Sequence, residues 1–305
     1  MKENLNEILR QFGFATSAET EHLRTLNNST WSVDGAYILK QNSDKSQVEK
    51  SVIMNNFLRG EGIPVVEYLA ADTGDDFIAF EDYFYTVMRK MKGEHVGAFS
   101  GDFIDRAYHA GVEIARLHKA LKKFSGFAED YNSDLIHDLK NWVSQEIESK
   151  NIDVPREIMD SCLDFAEVYY ALPRQLIHRD IQYGNILFDN NRLSGFLDFD
   201  LSQKNARIFD VVYFLNAILA DNNFNDSDSV KQWRQLADSF LQGYHSENKL
   251  CAAEINAFHK MALSIQLIFI AWFASNQTDL IAQNIEMAKW IFSNKDIYEF
   301  TVKGI

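Results

Sequence analysis

The residues most able to do chemistry in this 305-residue chain lie in one stretch, LIHRDIQYGNILFDNNRLSGFLDFDLSQKNARIFD, residues 176–210. It contains Asp180, then Asn185 five residues on, then Asp198. Two short apolar runs, Ile186-Leu187-Phe188 and Gly195-Phe196-Leu197, flank Asp189-Asn190-Asn191-Arg192. That pattern predicts a hairpin, because Asn190 and Asn191 tolerate the positive φ of a tight turn, and antiparallel pairing would bring Asn185 and Asp198 together at its open end. An amide oxygen beside a carboxylate suits Mg²⁺, which prefers hard oxygen ligands and takes the rest of its shell from water and phosphates. Asp180, just ahead of this pair, would be the separate carboxylate that orients a hydroxyl and takes its proton.

The elements that must position these groups change character along the chain. From Thr25 to Met91 the pattern is strand-rich, and Asp34-Gly35 inside WSVDGAYILKQ predicts a hairpin turn. One helix interrupts the strands at QVEKSVIMNNFLRGEG, with Val48, Ile53, Phe57 and Leu58 on its apolar stripe and Gly60 or Gly62 at its end. YFYTVMRKMKG reads as a further strand. After Gly93 helical spacing takes over, as in DFIDRAYHAGVEIARLHKAL. The expected fold is α+β and bilobal: a small antiparallel β-rich lobe with one helix over residues 1–92, and a mostly helical lobe over 93–305 that carries Asp180. A cleft between the lobes would hold the ligands.

At these residues the chain resembles the aminoglycoside phosphotransferase and choline kinase-like branch of the protein-kinase-like superfamily. The catalytic-loop aspartate with an asparagine five residues later is a known kinase signature, present here in HRDIQYGNILFDNNRLSGFLDFD. The resemblance implies an ATP-dependent phosphotransferase acting on a small-molecule hydroxyl, with Asp180 as catalytic base and Asn185 and Asp198 as Mg²⁺ ligands. Lys40 falls in the place of the strand lysine that holds ATP phosphates, with Glu49 on the following helix as its ion-pair partner. LNNSTWSV, with Asn27, Asn28 and Ser29, resembles the phosphate-covering loop. TVMRKMKG resembles the hinge, with Met88 at its entry and the backbone of Arg89 to Met91 facing adenine. Val33, Ile38, Leu187 and Leu197 would wall the ring. Asp210 matches an aspartate that steadies the catalytic loop, and His118, in ARLHKAL, lies on a helix that packs. An ordinary helix N-cap is the competing reading of Asp210, and a solvated turn residue is the expected state of Asp200.

Departures from protein kinases are equally informative. The phosphate loop has no GxGxxG, Asp198 is followed by Phe199-Asp200 where a protein kinase has Phe-Gly, and no APE-like activation segment follows. They favour a small acceptor over a protein. A catalytically inactive nucleotide-binding regulator is the rival, and the filled catalytic positions count against it.

Composition narrows the partners. The formal charge of −14 disfavours a sequence-independent nucleic-acid binder, which gains affinity from Lys and Arg on phosphates. Residues 93–305 hold 20 basic and 30 acidic side chains, so −10 of that charge lies there; a solvated acidic surface is the ordinary reading, and among the acceptors the resemblance implies, an aminoglycoside-like antibiotic, homoserine, choline or ethanolamine, or a thiosugar, the charge favours an amine-bearing one. The apolar stretch around Trp272 and Phe273 spans about sixteen residues, which predicts a buried helix and no membrane span. Cys162 and Cys251 stand singly in apolar contexts and are expected to be buried thiols. The expected location is cytoplasmic.

Overall fold

The computed structural model describes residues 2–23, 29–126, 134–276 and 278–298. The chain divides into two compact units, Met1–Glu94 with Ser194–Asp200, and His95–Leu193 with Leu201–Ile305. The return of seven residues after Leu193 to the first unit is a feature that the sequence reading did not include.

The first unit opens with α1 (Lys2–Arg10), followed by β1 (Thr20–His22), β2 (Thr30–Val33), β3 (Tyr37–Asn42), α2 (Lys45–Gly60), β4 (Ile78–Phe80) and β5 (Tyr83–Arg89). All sheet pairings are antiparallel, in the order β1-β2-β3-β5-β4. Asp34 and Gly35 take φ of 48° and 65°, the left-handed values that close the β2–β3 turn. Asp44 caps α2 by accepting from the Gln47 N–H, and Gly62, at φ 79°, ends it in a conformation open to glycine. Period-two alternation sorts the sheet residues. Trp31, Leu39 and Val87 are paired neighbours that pack with Leu5, Ile8, Leu9 and Phe12 of the α1 region. Ser32, Ile38 and Met88 are paired neighbours on the opposite face, and so are Thr30, Lys40 and Thr86.

The second unit contains α3 (Phe103–Leu121), α4 (Leu135–Asp138), a π turn (Leu139–Val143), α5 (Ser144–Ser149), α6 (Arg156–Leu163) and α7 (Ala166–Tyr170). Strand β6 (Arg174–Ile177) precedes the loop that holds Asp180 and pairs with β9 (Gln203–Ala206). Between them β7 (Ile186–Asp189) and β8 (Arg192–Phe196) form a two-stranded sheet, and Asn190 and Asn191 have the expected positive φ, 49° and 62°. Helices α8 (Ile208–Asp221), α9 (Ser227–Glu247), α10 (Ala252–Asn276) and α11 (Ile281–Ser293) complete it. The connector between α8 and α9 is short, because Asp221 still belongs to α8 and Asp226 caps α9 by accepting from the Ser229 N–H.

Two contacts fix this bundle. Helices α3 and α9 cross so closely that a Cβ on Gly111 would lie 2.0 Å from the Phe240 carbonyl oxygen, and one on Gly243 would lie 2.0 Å from that of Tyr108. Arg207, just ahead of α8, donates to both carboxylate oxygens of the fully buried Glu254 at 2.6 and 2.7 Å, a bidentate geometry that offsets the cost of burying both charges. Helix α10 has 25 residues and is long and apolar enough by length and composition to cross a membrane, but 72% of its most apolar window is buried inside the protein. It is therefore longer than the expected sixteen-residue stretch, and it is the buried helix that the sequence suggested. Cys162 is buried, and burial pushes its thiol up to about 12. Cys251 is exposed, contrary to expectation, because it precedes α10 instead of lying inside it.

Candidate active site

In the second unit, Asp180 follows β6 in a loop whose backbone is held by Asp210. Asp210 is fully buried on α8. Its Oδ2 accepts the His178 N–H at 2.8 Å, and its Oδ1 accepts the Arg179 N–H at 2.7 Å. The same Oδ2 meets His118 Nε2 at 3.0 Å, while His118 Nδ1 meets the Tyr244 hydroxyl at 2.8 Å. Asp210 makes no helix cap; Arg207 holds the N-cap position without a side-chain bond. The clamp is needed because Arg179 has φ of 71°, a left-handed backbone that costs a non-glycine residue on the order of 1 kcal/mol or more.

The carboxylate of Asp180 is oriented by three donors. The Tyr213 hydroxyl donates to Oδ1 at 2.5 Å, Gln182 Nε2 donates to Oδ1 at 3.3 Å, and Asn185 Nδ2 donates to Oδ2 at 2.6 Å. Asn185 Nδ2 also donates to the Asp180 backbone carbonyl at 2.9 Å. With its nitrogen so engaged, Asn185 keeps its amide oxygen as the group able to meet a cation. Burial first, and then the charge of Asp180, push the Tyr213 phenol well above its ordinary 10.0, so it stays a neutral donor. Sequence reasoning missed Tyr213. Its signal was the spacing Asp210-x-x-Tyr213, which sets both side chains on one face of α8.

The first unit carries the other group of charges. Lys40 Nζ lies 3.4 Å from Asp198 Oδ1 and 3.0 Å from Asp200 Oδ2. Asp198 has φ of 59°, and its segment is tied down where the Phe196 N–H donates to the Pro64 carbonyl at 2.8 Å. Burial depresses Lys40, yet the Coulomb pull of Asp200 and Asp198 outweighs it and raises the ammonium above its usual range. Asp200 is also raised: burial is the largest cause, and repulsion by Asp198 adds to it against the pull of Lys40. Two carboxylates thus share one ammonium, which leaves a surplus of negative charge. Asp200 is a half-buried ion-pair member, with its side chain 19% exposed, and not the solvated turn residue expected.

Two further expectations are corrected. Glu49 does not pair with Lys40; its side chain is 44% exposed and pairs with Lys45 one turn earlier on α2. The group near Lys40 is instead Tyr68, whose hydroxyl lies 3.1 Å from Ser51 Oγ and is pushed up to about 12 chiefly by burial. Val33 is fully buried in the core shared with α1, because a shift of one residue in a strand reverses the face. Ser32, paired with Ile38, takes the place assigned to it.

The remaining nucleotide candidates sort as follows. Ile38 shares the Lys40 face, and Met88 pairs with it. The Arg89 and Lys90 N–H groups are spent on the Glu67 and Ala36 carbonyls, so of that stretch Met91 retains a backbone donor without a partner among the described residues. The Arg89 side chain pairs with Glu67 at 3.1 Å. Leu187 is buried in β7. The Ser29 carbonyl accepts from the Gln41 N–H, whereas Asn27 and Asn28 lie outside the described residues. Among the described residues no group of three or more His, Cys, Asp or Glu side chains gathers to hold a metal. A cation that keeps water and phosphate ligands needs only one or two carboxylates, and the surplus charge on Asp198 and Asp200 fits it.

Residues 21–255 match the profile of APH, the phosphotransferase enzyme family. The homoserine kinase of Polaromonas naphthalenivorans (strain CJ2) is 22% identical over 241 residues, which cover 75% of this chain and 72% of that protein. Other homoserine kinases match over about half of their length or less. In fold, the chain is similar to an aminoglycoside phosphotransferase from Alicyclobacillus acidocaldarius, with a TM-score of 0.73 at 14% identity, covering 98% of this chain and 96% of the other. It is also similar to the amicoumacin kinase hAmiN in complex with AMP-PNP, Ca²⁺ and Ami, with a TM-score of 0.67 at 17% identity, covering 92% and 88%.

Proposed function

Because the chain belongs to the phosphotransferase enzyme family, whose members among its relatives are small-molecule kinases, we propose that it moves the γ-phosphate of ATP to the hydroxyl of an amine-bearing small molecule. The observation that carries this reading is the three-donor fixation of Asp180, which holds a carboxylate in one orientation for a hydroxyl proton. In the reaction the acceptor oxygen bonds to the γ-phosphorus, the bond from that phosphorus to the bridging oxygen breaks, the proton goes to Asp180, and ADP leaves.

The other roles follow from the two groups of residues. Lys40 neutralises phosphate oxygens. Asn185 and Asp198, joined through the β7–β8 hairpin, would hold Mg²⁺, with Asp200 beside them. Bound there, the cation would neutralise charge developing on the phosphates. Ser29, Ile38, Met88, Met91 and Leu187 would line the nucleotide, with residues 1–92 as its lobe and 93–305 as the lobe of the acceptor. A cytoplasmic location, where ATP is supplied, belongs to the same reading.

The test is Asp180→Ala. Turnover is expected to fall by about a hundredfold or more with ATP affinity nearly intact, because the lost interaction operates chiefly in the transition state. Undiminished turnover in steady-state assays of this variant would refute the assignment.

A further inference from the structure

One segment of the second unit touches the chain on both sides of Asn185. The short turn Tyr183–Asn185 ends on that residue, and β7 begins at the next. On the near side, His95 Nδ1 lies 3.1 Å from the Tyr183 carbonyl oxygen. A carbonyl only accepts, so Nδ1 carries the proton in this contact and donates. On the far side, the Arg106 guanidinium lies over the ring of Phe188 in β7, 5.6 Å from its centroid, and Nη1 reaches Asn191 Oδ1 of the β7–β8 turn at 3.5 Å. Phe188 in turn stacks on Tyr183, with centroids 5.7 Å apart at 29°.

Arg106 also fixes the loop that carries His95. Its Nη2 meets the carbonyl oxygens of Gly97 at 3.0 Å, Ala98 at 3.3 Å and Ser100 at 2.7 Å. Arg106 is 3% exposed and forms no ion pair among the described residues. It stands at the N-terminal end of α3, where the helix dipole disfavours a cation. A charge buried there without a carboxylate is costly, and only the loop carbonyls and the Phe188 face offset it. Exposed Gly184 lies between Tyr183 and Asn185, and glycine resists backbone rotation least of all residues. The turn therefore needs fixing from outside.

We infer that His95 and Arg106 are positioning residues that bracket Asn185, the first through the carbonyl two residues before it and the second through the strand that follows it. The inference rests on the kinase reading above only where that reading makes the held amide a Mg²⁺ ligand.

The test reads the full chain without ligand, by hydrogen exchange at the Asn185 backbone N–H, which donates to the Gln182 carbonyl at 2.9 Å. His95→Ala is expected to speed that exchange about fivefold, as the loss of one hydrogen bond allows. His95→Asn, whose amide nitrogen takes the place of Nδ1, should restore the original rate, and His95→Gln, whose nitrogen lies one bond farther out, should not. Because His95 is exposed, all three variants should keep the melting temperature within a few degrees. Arg106→Lys keeps the charge and loses the fork. It is expected to speed exchange too, and adding His95→Ala to it should change little more, since the loop then no longer holds His95 in reach. Unchanged exchange in His95→Ala, no restoration by His95→Asn, or effects of the two substitutions that multiply in full would each overturn the inference. Phosphotransfer is measured separately. The Mg²⁺ concentration for half-maximal rate should rise about fivefold in His95→Ala and return in His95→Asn; an unmoved requirement would overturn the link to the metal ligand. A chain that shows the exchange pattern but transfers phosphate to no acceptor would count against the kinase reading and leave the bracket standing.

Discussion

The charged cluster around Lys40 and the loop around Asp180 solve opposite problems. In the first, Lys40 is shared by Asp198 and Asp200, the side chain of Asp198 is 47% exposed, and net negative charge remains. In the second, Asp210 is fully buried, and its two oxygens accept two backbone N–H groups and meet one imidazole nitrogen. The first has one more carboxylate than its single ammonium can balance. The second is complete before any ligand arrives, which is the form of preorganisation that keeps reorganisation out of the reaction step. Charge is left unbalanced in the more exposed cluster, and hydrogen bonds are satisfied where the left-handed backbone at Arg179 has to be held.

That contrast is most strongly tested by Asp210→Ala. The substitution strands the His178 and Arg179 N–H groups and His118 in a buried site, at a cost of about 3–5 kcal/mol. The melting temperature and kcat are expected to fall together, and a variant that keeps its thermal midpoint would break the comparison. Next in size is Tyr213→Phe, with kcat lowered about tenfold and the KM for ATP unchanged. Its sign with pH is fixed by the donor: the phenol stabilises the charged carboxylate, so losing it moves the acid limb of the kcat/KM profile to higher pH. An unmoved limb with lowered kcat would make Tyr213 a packing residue only. The smallest effect belongs to Glu49→Gln. An exposed pair with Lys45 contributes about 0–1 kcal/mol, so the KM for ATP should change less than about twofold, and a large rise would restore Glu49 as the partner of Lys40.

Much of this was legible in the chain because short-range chemistry decides it. The β2–β3 turn at Asp34-Gly35, the β7–β8 turn at Asn190-Asn191 and the interrupting helix α2 each rest on local backbone preferences. The β-rich first part and mostly helical remainder followed from the change of patterning near Gly93, and the family from the residues around Asp180 and Asn185. What failed depended on register and on competition. Val33 and Ser32 differ by one position, and sequence alone does not say which of them faces Lys40. Glu49 lost its partner because two aspartates far along the chain reach Lys40 first. Tyr213 went unread, and Asp200 was read as a solvated turn residue, since their roles depend on what the folded backbone sets opposite them.

The crossing at Gly111 and Gly243 carries a consequence for how the catalytic loop is spaced. His118 lies two helical turns beyond Gly111 on α3, and Tyr244 adjoins Gly243 on α9. Backbone therefore rests on backbone at the crossing, with no rotatable group to act as a cushion. The span from α9 through Tyr244 and His118 to Asp210 is set by peptide geometry. A methyl group added at either glycine would widen that gauge and register at the phosphoryl-transfer step, although the glycines themselves touch none of its atoms.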